Sequence, residues 1–250
     1  MLMTNAKIYL GGYMLHGYSN TMSLQYGAEM LDDSVFGCST RSNRPGMFTT
    51  QFTANIFWDI TAPAAPGISM EAFMFGRIGA AREVLSTGPV VTADGDVCYT
   101  TRNVHSSWQP LGGAVGELLA GELSGASAGS PLIRGVAQGV GAAKVASGNA
   151  TYTQIAGGVP VGKKLYGALH VVAASGTGTS LTCVVESDDN TGFSSPTTQL
   201  TFASFTQAAL GADWQETAGV SAITDTYFRM KWTIAGGTPS FTILGVIGVL

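Results

Sequence analysis

Tyr227-Phe228-Arg229-Met230-Lys231-Trp232-Thr233-Ile234 decides the fold class. Phe228, Met230, Trp232 and Ile234 fall on one side of an extended chain, and Tyr227, Arg229, Lys231 and Thr233 on the other. Side chains of a strand alternate between faces with a period of two, so this octapeptide is a strand with one face in a core and one toward solvent. Gly236-Gly237-Thr238-Pro239 predicts a turn after it, and Phe241 to Leu250 a final apolar strand.

Working outward, Leu165 to Ala173, Leu181 to Glu186 and Gln199 to Ala203 also read as strands. Ser175-Gly176-Thr177-Gly178 and Asp188-Asp189-Asn190-Thr191-Gly192 separate them as expected turns. Strands at intervals of roughly a dozen residues predict an antiparallel sandwich or jelly roll. The expected organisation is a C-terminal β-sandwich domain over 159–250 and an N-terminal β-rich domain over 1–158. In the latter, Lys7 to Leu10, Thr21 to Tyr26, Gly46 to Asn55, Met70 to Phe75 and Val97 to Thr101 read as strands. A short helical turn is expected around Ala28 to Asp33 and a loop at Ala62 to Gly67. Gly112 to Gly148, biased toward Gly, Ala, Ser and Val, reads either as a flexible linker or, given Leu118-Leu119 and Pro131 to Arg134, as strands joined by a glycine-rich loop at Ser124 to Ser130. The fold class is therefore all-β, built of antiparallel sandwich or barrel-forming domains with short helical turns.

Composition bears on how such a fold is used. Only 11% of the 250 residues are Asp, Glu, Lys or Arg, against about 25% in an average soluble domain. No apolar run approaches the ~18–20 residues of a spanning helix. Polarity is carried by Ser, Thr, Gly, Asn and Gln, which hydrogen-bond well but repel neighbours weakly. A lone monomer keeps more charge for colloidal stability, so this surface points to contacts with copies of the same chain. The 34 glycines argue against long helices, since each interior one costs about 1 kcal/mol relative to Ala. Net charge is −4 and Lys163-Lys164 is the one adjacent basic pair, which opposes tight nucleic-acid binding. Cys38, Cys98 and Cys183 are few, odd in number and far apart. They read as small buried hydrophobes rather than a disulfide framework or zinc site. Met1 to Lys7 lacks the basic-then-apolar pattern of a secretory signal, so synthesis in a cytoplasm is expected.

Several motifs match catalytic patterns only in part. Gly125-Ala126-Ser127-Ala128-Gly129 has the spacing of a nucleophile elbow. Pro131 follows it, and no Asp or Glu stands between Ser127 and His170, whereas an elbow needs a helix and then an acid and a His. Gly157 to Lys163 has phosphate-loop spacing, but Lys164 stands where a Ser or Thr would meet magnesium. His16, His105 and His170 share no metal-ligand spacing. Asp94-Gly95-Asp96 and Asp188-Asp189-Asn190 lack the later Glu of a calcium loop. Asn149-Ala150-Thr151 is a glycosylation sequon that means little without a signal. Trp58, Trp108, Trp214 and Trp232 could form a sugar-stacking platform; Trp232 belongs to a core face, and Trp108 and Trp214 are the surface candidates. No enzyme, cofactor or metal site is expected.

Ala28-Glu29-Met30-Leu31-Asp32-Asp33-Ser34-Val35-Phe36-Gly37-Cys38-Ser39-Thr40-Arg41, running into Asn43-Arg44-Pro45-Gly46, resembles the tail tube (major tail) proteins of long-tailed bacteriophages. Those carry an acidic residue before a Thr-Phe-Gly turn, then an Arg and a Pro-Gly leading into a strand; here Ser34-Val35 replaces the commoner Thr pairing. The stretches Gly162 to Tyr166, Glu186 to Asp189 and Thr224 to Arg229 are similar in style. The resemblance implies a virion subunit that stacks in rings, sixfold or threefold with doubled domains, around a lumen that passes DNA without gripping it. Its partners would be itself, in a hexameric or pseudo-hexameric ring, and other tail proteins. Ring closure removes open sheet edges, and a mildly acidic lumen discourages adhesion of DNA. Asp32, Asp33, Arg41 and Arg44 are the expected subunit-interface loop, where opposite charges would fix register. The alternatives are a capsid decoration or head–tail joining protein, and a carbohydrate- or receptor-binding β-sandwich tail protein.

Overall fold

The strand that opens at Tyr227 continues well past its expected end. In the computed structural model, which describes residues 6–36, 39–58, 69–79, 82–112, 114 and 117–250, strands dominate. They are β1 (Lys7–Leu10), β2 (Tyr13–Met14), β3 (Ser19–Asp32), β4 (Asn43–Phe57), β5 (Glu83–Gly88), β6 (Val97–Gly112), β7 (Ala120–Ser127) and β8 (Ile133–Gln138). There follow β9 (Gly148–Asn149), β10 (Thr153–Gln154), β11 (Leu165–Asp188), β12 (Thr197–Thr201), β13 (Phe205–Thr206), β14 (Gly211–Glu216) and β15 (Tyr227–Val249). A 3-10 turn, Leu15–Gly17, and one helix, α1 (Met70–Gly76), complete the described elements. The chain is all-β, and its described strand pairs are antiparallel within one connected sheet.

The central path runs β12-β11-β15-β8-β6-β5-β1-β2. Strand β6 is the hub. Its first half pairs with β5 on one side and β8 on the other, and its second half with β7, which leads to β4 and then β3.

The two glycine clusters expected to be turns lie inside strands. β11 and β15 pair from Leu165↔Val249 to Asp188↔Tyr227, with Ser175↔Ser240 and Thr177↔Gly237 between. The clusters meet across the ladder as irregularities. Gly176 (φ 108°) and Gly236 (φ 116°) adopt positive φ, and a Cβ on Gly176 would stand 2.5 Å from the Thr238 carbonyl oxygen. Such bulges bend a ribbon without ending it. Beyond the bend both arms turn one face inward. Leu165, Leu169 and Val171 of one arm and Leu181, Cys183 and Val185 of the other share a core with Phe228, Met230 and Trp232. The other face of the first arm, with Tyr166, Ala168 and Val172, packs on Tyr9, Val84 and Cys98. A third core gathers Leu10, Phe52, Ile56, Phe73 and Leu123.

Three other expectations change. Ala28 to Asp32 is strand, the outer part of β3, because its partners Asn43 to Phe48 hold it extended against its helix-forming residues. Met70 to Phe75 is helix. Met70, Phe73 and Met74 bury one side of α1, and the Ser69 hydroxyl accepts from Ala72 N–H at 3.2 Å as its N-cap. The loop expected at Ser124 to Ser130 is strand as far as Ser127. Ala62 to Gly67 and Cys38 lie outside the described residues.

Candidate functional site

β3 and β4 form a hairpin whose two halves differ. From Gln51 to Phe57, β4 has a second neighbour in β7, and Phe52, Ala54 and Ile56 are buried. Outward of Gln51, β3 is the one partner of β4 among the described residues, and β3 pairs with nothing but β4 along its whole length. The outer half is thus a two-stranded ribbon with a free edge. Met47 and Phe48 are adjacent, so they point to opposite faces, yet they are 77% and 61% exposed. Both faces are bare. Tyr26, Met30 and Leu31 are exposed on the opposing strand, and Tyr26 stacks on Phe48 with centroids 5.5 Å apart. A two-stranded hairpin alone is marginally stable in water, and six large apolar residues toward its end (Met30, Leu31, Val35, Phe36, Met47 and Phe48) are exposed.

The structure brings Asp32, Asp33, Arg41 and Arg44 together at the tip. Arg44 Nε donates to Asp33 Oδ2, and Arg41 Nε lies 3.9 Å from Asp32 Oδ2. Asp33 N–H donates to the Ser42 carbonyl at 3.0 Å, and Ser42 N–H to Ser34 Oγ at 2.9 Å. Ser34, by its hydroxyl and by its N–H at 2.9 Å from Asp32 Oδ1, holds the Asp32 carboxyl below the usual range. Ser42 and then Arg44 do the same for Asp33. The ion pairs are exposed and contribute little to the fold; their geometry shapes the tip.

The remaining candidates are placed elsewhere. Ser127 ends β7, accepts from Thr50 N–H at 3.3 Å, and no helix follows it. Gly157 to Lys163 leads into β11 rather than a helix. Asp94 accepts from the N–H groups of Val140 (2.9 Å) and Thr151 (2.8 Å), pinning two loops, and Asp188 accepts from Asn190 and Ser195 (both 2.9 Å). No group of three His, Cys, Asp or Glu among the described residues could hold a metal ion. The tryptophans do not converge. Trp214, expected at the surface, is buried between β11 and the N-terminal strands, because the whole length of β14 pairs with β11. Trp108 is half-buried over Gly121. His170 is fully buried, with Nδ1 2.9 Å from the Gly11 carbonyl oxygen and Nε2 2.8 Å from Ser86 Oγ.

The exposed apolar residues of the hairpin were not singled out by sequence reasoning. The available signal was the Met47/Phe48 pair, which sets an apolar residue on each face of a strand.

The chain matches no family model and no curated protein. Among solved structures it is similar to a chain from the virion of a native gene transfer agent particle, at 14% identity and TM-score 0.41, over 53% of this chain and 98% of that one. It is also similar to the SPP1 Dit protein, described as a hub of the adsorption apparatus in phages infecting Gram-positive bacteria, at 9% identity and TM-score 0.38, over 98% and 99%. A chain from the tail of an empty gene transfer agent particle follows at 12% and 0.36, over 49% and 91%. Identities and scores this low say nothing of what the chain does, so its function rests on its own residues.

Proposed function

We propose that this chain is a non-enzymatic structural subunit of a phage tail that assembles with copies of itself into stacked rings forming the tail tube. The observation that carries this reading is the β3–β4 hairpin. Its outer half has a free edge and two bare faces, and it is complete only when other strands or another subunit cover it. In this reading the N-terminal 1–158 forms the tube and 159–250 lines or decorates it. Low charge lets like surfaces meet without strong repulsion. A net charge of −4 suits a channel that DNA crosses without sticking.

Negative-stain microscopy of the full chain at high concentration tests the proposal. Tubes or stacked rings of constant diameter are expected. Monodisperse monomers, or small closed oligomers that never stack, contradict it; the latter would favour a capsid decoration or head–tail joining role.

A further inference from the structure

The base of the same hairpin carries a cleft of about 510 Å³. Asn20 and Asn55, at the roots of β3 and β4, line it with Gln109, Glu117, Glu122 and Leu118. Glu117 accepts from Ala114 N–H at 2.9 Å, and Glu122 lies 3.4 Å from the Ser124 hydroxyl. Neither carboxylate has a cationic partner among the described residues. The cleft therefore offers two unpaired negative charges and several amide groups beside an apolar side chain.

The tip balances Asp32 and Asp33 against Arg41 and Arg44, and Arg41 is the cation it can turn outward toward such a cleft. Arg41 is 84% exposed, and at 3.9 Å it is only loosely tied to Asp32. Phe36, at the end of the same hairpin, is fully exposed. We infer that the tip of one copy docks in the base cleft of the next, with the Arg41 guanidinium against the carboxylates of Glu117 and Glu122 and the Phe36 ring against Leu118. Arginine suits the site because its planar fork engages carboxylates and amide oxygens together. The inference rests on the self-assembly reading and names the partner surface of that hairpin.

Geometry sets the consequence. Tip and cleft lie at opposite ends of one hairpin, from Asn20 to Asp32 along β3. At ~3.3 Å per residue that is about 40 Å. A contact between different patches on each copy is heterologous and can repeat without closing. All hairpins would then point one way, and each layer would advance by about 40 Å.

The test uses the full chain in a Cys38→Ser background. Phe36→Cys with Leu118→Cys, mildly oxidised, is expected to give a reducible ladder of dimers, trimers and longer species, while Phe36→Cys alone stays monomeric under denaturing electrophoresis. Arg41→Glu is expected to raise the concentration needed for assembly at least about tenfold, and mixing it with Glu117→Lys/Glu122→Lys to restore assembly. A product that stops at dimers overturns the docking mode. So does wild-type stacking seen by microscopy with no cross-link in the double-cysteine variant, and in that case the self-assembly reading survives. If the wild type neither stacks nor the variant cross-links, both fall.

Discussion

Acidification from about pH 6.5 to 5 should destabilise the dispersed chain through two buried histidines. His170 sits on the face of β11 that packs against the N-terminal strands, with the Gly11 carbonyl on one nitrogen and the Ser86 hydroxyl on the other. A carbonyl only accepts, so Nδ1 carries the proton and Nε2 accepts from Ser86. The ring is fully paired as a neutral group. Burial pushes its pKa down from 6.5 to about 4. His105 on β6 is pushed down to about 4 as well, by burial and then by the Arg77 charge, and neither ring nitrogen has a partner among the described residues. Between these values the unfolded chain binds a proton that the folded one refuses. Stability is thus full above about pH 6.5 and falls as pH drops toward 4, with a slope near 1.4 kcal/mol per pH unit for each histidine. From about pH 6.5 to 5, with the unfolded imidazole half protonated at the upper end, that amounts to about 1.6 kcal/mol each and about 3 kcal/mol together, while most carboxylates stay ionised in both states. Half-buried His16 is shifted in the same direction. Urea denaturation at low protein concentration between about pH 7 and 5 measures the slope. His170→Gln keeps a donor for Gly11 and an acceptor for Ser86 but does not titrate, so it should remove about half of it. A flat profile, or an unchanged slope in the variant, would refute the reasoning.

Other expectations follow from the same geometry. Phe228→Ala, at a fully buried position of the C-terminal core, should lower unfolding free energy by about 3–5 kcal/mol in urea titration. Gly176→Val places a Cβ 2.5 Å from the Thr238 oxygen at φ 108° and should cost at least about 2 kcal/mol by the same assay. Asp94→Ala frees the amides of Val140 and Thr151; a loss of about 2 kcal/mol is expected, with faster hydrogen exchange at both. Arg44→Ala breaks an exposed pair with Asp33, so calorimetry should find the melting temperature within about 1 °C of wild type.

Much of the fold was legible where one face is buried. Phe228, Met230 and Trp232 enter one core as their alternation predicts, and Lys7 to Leu10 and Val97 to Thr101 lie in strands. Legibility failed where local and distant preferences conflict. Glycine clusters at 175–178 and 236–239 look like chain reversals, yet they face each other across the ladder and become a shared bend, a coincidence of register that neither segment reveals alone. Ala28-Glu29-Met30-Leu31 has helical propensity, overridden by pairing with β4. The helix at Met70 did leave a trace in the spacing of Met70, Phe73 and Met74 behind Ser69, although Met-Glu-Ala-Phe-Met-Phe also suits a strand. At the hairpin, Asp32, Asp33, Arg41 and Arg44 were expected as a loop facing another subunit; that they pair with one another at the tip depends on the β3–β4 register, which the segment alone does not show. The base cleft left no mark, because Asn20, Asn55, Gln109 and Glu122 come from four strands and meet only through their pairing.

The central claim is that the outer half of the β3–β4 hairpin is finished by contact with copies of the chain. Hydrogen exchange of the full chain, dilute and then concentrated, tests it directly. Amides of Tyr26 to Asp32, Asn43, Arg44 and Gly46 to Thr49 should exchange fast in dilute solution and become protected on concentration, while those of β11 and β15 hardly change. Protection of the hairpin that is already complete in the monomer, or that never rises with concentration, would contradict the account.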